Sequence, residues 1–249
     1  MRTANPALNE KTFRGVYAES GKAVMTLQGT VNKTFIMLLI LLVSATYTWH
    51  LAMMNAEHPQ VVTPWLLGGL LGGLVMALVT MFVPRFAMVT APVYAGLEGL
   101  FLGAVSAFFE YRYPGIVVQA VTLTFGTLFC LLAAYTSGYI RATENFKLGV
   151  VSATGAIFLI YLVSWILSFF GIHIGMIHDS GLLGIGFSLF VVVIAALNLV
   201  LDFDFIESAT ESGNAPKYME WVGAFGLMVT LVWLYIEILR LLAKLRNSE

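Results

Sequence analysis

The residues best placed to do chemistry are carboxylates set inside apolar runs. The stretch Leu201-Asp-Phe-Asp-Phe-Ile-Glu207 carries Asp202 and Asp204, and the run Leu234-Tyr-Ile-Glu-Ile-Leu-Arg240 carries Glu237 and Arg240. Acidic side chains in a hydrocarbon-length segment are expensive, and they face a bundle interior, pair with one another or line an ion path. Two carboxylates brought together in low-dielectric surroundings cannot both ionise cheaply, so they share a proton and titrate as one coupled pair. Once that proton leaves, the two charges repel or accept a cation, and Ca2+ takes carboxylate oxygens readily. Asp202, Asp204 and Glu237 are therefore the first functional candidates.

Helix geometry ranks the candidates. Asp202 and Asp204 diverge by roughly 200° on one helix, so at most one points directly at a given partner helix. Asp202 shares a face with Ile206, and Asp204 with Glu207. Glu237 and Arg240 are three apart and can neutralise each other locally, which is the structural reading of Glu237. Glu98 lies near the middle of Ala91-Pro-Val-Tyr-Ala-Gly-Leu-Glu-Gly-Leu-Phe-Leu-Gly103. It is either a protonated group hydrogen-bonded to a neighbouring helix or a functional acid.

Other reactive side chains carry less. His50, His58, His173 and His178 fall on one side of the expected topology, but no two have the i, i+4 spacing of helical metal ligands, so no metal site is expected. The single cysteine, Cys130, excludes an internal disulfide and a cysteine-based zinc cage, and it reads as a small buried hydrophobe. There is no His-Glu-x-x-His, no Gly-x-Ser-x-Gly and no Cys–His pair within the apolar runs, so an enzyme is not expected and no cofactor is implied.

The elements that position these acids are membrane spans. Of 249 residues, 59% are hydrophobic and 11% charged, where a soluble domain has about 25% charged; the mean hydropathy is +0.87. A net charge of -1 gives no basic field for nucleic acid. Seven apolar runs of about 20 residues read as spanning helices. They lie near Thr34 to Met53, Pro64 to Val83, Ala87 to Phe109, Ile116 to Thr136, Leu148 to Gly171, Gly181 to Leu201 and Val222 to Ala243. The sequence thus predicts an all-α, seven-helix integral membrane domain over 34–249, preceded by a polar arm over 1–33 that is either an interfacial helix or solvated.

Lys and Arg set the expected orientation. They crowd the N-terminal segment (Arg2, Lys11, Arg14, Lys22, Lys33) and recur at Arg85, Arg141, Lys147 and Lys217, whereas the loops 55–63 and 172–180 have none. This places the N-terminus in the cytoplasm. Seven full crossings leave Arg240, Lys244 and Arg246 outside, so either the last helix is central and only partly crosses, or its basic end is tolerated because earlier loops fix the topology. Trp49, Trp65, Tyr111, Tyr113 and Trp221 sit near span ends, as an aromatic belt would. Gly68, Gly69, Gly72 and Gly73, with Gly99 and Gly103 in the next span, supply the small surfaces that let helices approach closely.

In this setting the sequence resembles the Bax inhibitor 1 family, the transmembrane Bax-inhibitor-motif proteins, and in particular their bacterial branch. Leu201-Asp-Phe-Asp-Phe-Ile206 stands where that family has a Tyr-Asp-x-x-x-Ile motif closing its sixth helix. Thr230-Leu-Val-Trp-Leu-Tyr-Ile-Glu-Ile-Leu-Arg-Leu-Leu242 resembles its seventh helix, and Tyr94 to Gly103 its third. The resemblance covers the whole membrane region, with 1–32 as an extension.

The resemblance implies a pH-sensitive calcium leak gated by an acidic dyad, here Asp202 and Glu237, with Ca2+ or another cation as permeant ion. Asp204 then occupies a position usually polar in the family, and Arg85 stands for a basic residue closing the second helix. Three departures follow: the seventh-helix acid is Glu rather than Asp, the stretch between the two acids is long, and Arg85 is shifted in spacing. An inner-membrane, multi-pass location is implied. The alternative is a non-transporting regulator of stress response or membrane-protease quality control, acting on a membrane-protein partner through lateral helix contacts and the N-terminal arm.

Overall fold

A computed structural model describes residues 23–171 and 179–248. Among the described residues seven long helices follow one another: α1 (Leu27–Met54), α2 (Thr63–Phe82), α3 (Ala87–Arg112), α4 (Ile116–Thr136), α5 (Glu144–Ser168), α6 (Leu182–Glu211) and α7 (Met219–Asn247). Short 3-10 turns, Pro59–Val61 and Pro84–Phe86, precede α2 and α3. Gly115, at φ +82°, makes the left-handed turn into α4, a conformation that glycine alone adopts without strain. All seven helices are long and apolar enough to cross a membrane.

Large apolar side chains cover the outside of these helices: Phe35, Val43, Phe82, Phe129, Phe158 and Leu182 are all more than half exposed. Such a surface aggregates in water, but in hydrocarbon it is the lipid-facing side. Cys130 belongs to this exposed surface rather than to a core, which corrects the sequence expectation. Hydropathy cannot distinguish a lipid-facing position from a helix-facing one. The most enclosed helix is α7, with 83% of its apolar window buried against 17% for α1, α2, α4 and α5. At 29 residues it rises roughly 43 Å, enough to cross fully.

The described residues form two compact units, one of 113–204 and 230–248, the other of 23–112 and 205–229, so α6 and α7 each contribute to both. Glycines shape the second unit. A Cβ on Gly99 or Gly103 would fall inside contact distance of the Leu41 and Ala45 carbonyl oxygens of α1, and one on Gly69 would lie 2.6 Å from the Leu97 oxygen of α3. Gly68 and Gly126, by contrast, have nothing within 4 Å. We therefore expect Gly99→Ala and Gly103→Ala each to cost about 2 kcal/mol by forcing α1 and α3 apart. Gly126→Ala should be neutral or stabilising by up to about 1 kcal/mol. Thermal unfolding in detergent distinguishes the two classes.

The first helix begins earlier than its hydropathy suggests, at Leu27 rather than Thr34. Thr26 supplies the cap, its side chain accepting from Gly29 N at 3.0 Å. The backbone before it pairs with the α6–α7 connection: Met25 N donates to Ala215 O at 2.7 Å and Lys217 N to Ala23 O at 3.2 Å. The polar arm of the sequence reading thus ends at the α1 cap, and its part over 1–22 lies outside the described residues.

Candidate functional site

In the first unit, α7 carries three polar side chains at heptad spacing, Thr230, Glu237 and Lys244, all buried. Seven residues are nearly two turns, so the three lie along one stripe about 10 Å apart. Each meets a different partner. Thr230 Oγ1 donates to Asp202 Oδ2 at 2.5 Å, joining α7 to α6. Glu237 accepts from Tyr161 of α5, whose hydroxyl lies 3.1 Å from both carboxylate oxygens, and from Arg240 Nη1 at 3.1 Å. Lys244 Nζ donates to the Gly184 carbonyl oxygen of α6 at 3.0 Å.

Two further contacts continue the seam. Asn198, one turn before Asp202, donates to Thr154 Oγ1 of α5 and to Ile194 O, both at 2.8 Å. Asp204 pairs with Lys147 of α5 at 2.7 Å, and Glu144 lies 3.6 Å from the same ammonium. Asp202 and Asp204 therefore each reach a helix, but different ones, as their divergence on α6 requires.

The two acids of the expected dyad bond different groups. Asp202 is fully buried opposite Thr230, and Glu237 is held nearly two turns further along α7 by Tyr161 and Arg240. Arg240 also covers the Tyr161 ring, its guanidinium carbon 5.6 Å from the centroid. Asp202 is thus bonded to Thr230, and Glu237 to Tyr161 and Arg240.

The second unit holds a buried acid that the sequence reading passed over. Glu220, in the first turn of α7, is fully buried and accepts from Thr26 N at 3.0 Å and Thr26 Oγ1 at 2.8 Å. It also pairs with Lys33 and with Lys217, the latter at 2.8 Å. Lys33 in turn lies 5.5 Å from the Trp221 ring centroid. The signal was present as Lys217-Tyr-Met-Glu220, an i, i+3 pair, but its other partners are nearly 200 positions away. Glu98 is half-buried on α3, its carboxylate facing Gly73 of α2, where an added Cβ would lie 3.2 Å from Oε2. Arg85 is exposed on the turn before α3. His50 and His58 are exposed, and His173 and His178 lie outside the described residues. Among the described residues no group of three or more His, Cys, Asp or Glu could hold a metal ion.

Seven apolar helices with buried, hydrogen-bonded acids on the last two define a polytopic helical membrane protein. The profile of the Bax inhibitor 1 like family matches residues 5–247, nearly the whole length, and the chain belongs to that family. Its all-α, seven-helix membrane architecture is the one the sequence resemblance implied. Comparison with curated proteins and with solved structures finds no match.

Proposed function

We propose that the protein is a non-enzymatic, pH-sensitive cation leak, Ca2+ foremost, in a bacterial-type inner membrane, with its N-terminus cytoplasmic. The observation that carries this reading is the fully buried Asp202, held by a hydroxyl of the neighbouring helix within a seam of polar groups on α5, α6 and α7. Intramembrane acids that face a bundle interior mark ion pathways and proton relays, which supports this reading. Ionised, Asp202 attracts a cation into the seam; protonated, it leaves a neutral hydrogen bond between α6 and α7 and no attraction. Flux therefore rises with pH.

Glu237 has a second task. It holds the Arg240 guanidinium and so offsets a positive charge that would repel an entering cation. The orientation is supported by the lysine and arginine distribution over the loops, and family membership supports the membrane location.

Purified protein in Ca2+-indicator liposomes should raise flux above empty vesicles, and that flux should increase as pH rises. The alternative, a non-transporting regulator of stress response or membrane-protein quality control, finds support in the tethering of 23–33 to Glu220. That tether couples the base of the arm to α7. A pure regulator gives no flux above empty vesicles at any pH.

A further inference from the structure

The polar seam of the first unit is interrupted. On α5, Ile157 lies between Thr154 and Tyr161; on α6, Ile194 lies one turn from Asn198; on α7, Trp233 lies between Thr230 and Glu237. Ile157, Val191 and Ile194 form one buried cluster, 2%, 0% and 8% exposed, and Tyr161, Phe187 and Trp233 pack against it. The level of Asp202, Thr230, Asn198 and Thr154 is thus separated from the level of Glu237 and Tyr161 by an apolar layer. Seven residues of α7, about 10 Å, divide the two levels. The Ile157, Val191 and Ile194 side chains offer a cation no oxygen ligand, and a constriction lined by such side chains holds no water.

We infer that Ile157, Val191 and Ile194 form an apolar collar that sets the barrier to permeation between the two acidic levels. This inference rests on the leak reading and assigns it a location. The barrier is dewetting rather than charge, so adding a hydroxyl at the collar lowers it without moving either acid. The polar seams above and below need only a wetted link to become continuous. Ile157 contributes most, because it stands on α5 midway between the two hydrogen-bonded residues, Thr154 and Tyr161.

The test is Ca2+ flux in proteoliposomes for wild type, Ile157→Ser and Val191→Thr. Val191→Thr keeps side-chain shape and guards against misfolding of the serine variant. Phe158→Ser makes the same kind of change one residue along, at an exposed position on the outer face of α5, and serves as control. The collar predicts an increase of about tenfold or more for Ile157→Ser, at least threefold for Val191→Thr, and no change for Phe158→Ser.

Wild-type flux that both collar variants leave unchanged overturns the collar and spares the leak reading. Flux that appears only in the collar variants supports the collar and removes the resting leak. No flux in any of the proteins overturns both, and an equal rise in Phe158→Ser overturns the collar by showing that any added hydroxyl on α5 suffices.

Discussion

Proteoliposomes carrying Asp202→Asn are expected to pass Ca2+ at a rate that no longer rises with pH, where the wild-type rate rises. Asparagine matches aspartate in shape, and its carbonyl oxygen can accept the Thr230 hydroxyl as Oδ2 does, so the α6–α7 bond survives. What disappears is the ionisable proton and the charge that attracts a cation. The sign follows directly. Wild-type flux is highest where Asp202 is ionised, above its titration, and falls as acid protonates it; the asparagine variant stays at the acidic level throughout. Asp202→Glu keeps a titrating group and should retain the pH slope.

Glu220→Ala should produce the largest loss of stability of any single change at a charged side chain. The carboxylate is fully buried and satisfies the backbone N–H and hydroxyl of Thr26 together with two lysines. Removing it strands Lys33, whose side chain is only 17% exposed, and loosens the tether ahead of α1. Breaking a buried pair from one side costs about 3–5 kcal/mol, but Lys217 is half-exposed and its pair is screened, so about 2–3 kcal/mol is expected. Glu220→Gln keeps acceptor oxygen for Thr26 and should lose less. Lys217→Ala should cost under about 1 kcal/mol. Thermal unfolding in detergent reads all three.

The helices were legible in the sequence because the bilayer demands long apolar runs, and seven such runs are present. Their ends were not. The apolar run of α6 stops near Leu201, yet the helix continues to Glu211, because Asp202 and Asp204 find Thr230 and Lys147 as partners. In the same way α7 extends to Asn247, where Arg246 donates to Pro114 O and Gln119, and Asn247 accepts from Tyr113. Hydropathy reports what lipid accepts, whereas a helix persists wherever its polar groups are satisfied.

The acids Asp202 and Glu237 stood out by type. Their partners did not: Thr230, Tyr161, Asn198 and Thr154 are ordinary residues of apolar helices, and only the heptad spacing of Thr230, Glu237 and Lys244 hinted at a shared stripe. The local pairing of Glu237 with Arg240 was readable as an i, i+3 contact, and it is formed. Tyr161, the other partner of Glu237, comes from a different helix and had no signal in the spacing.

The central claim is that Asp202 and Glu237 act separately along one seam, and a double-mutant cycle on Ca2+ flux tests it most directly. Wild type, Asp202→Asn, Glu237→Gln and the double variant are compared at about pH 8 in matched proteoliposomes. Separately held acids predict that the two single effects on the logarithm of flux add, to within about 0.5 kcal/mol. A double variant no worse than either single one, with the pH dependence lost in both single variants, would contradict the account and return the two carboxylates to one shared proton.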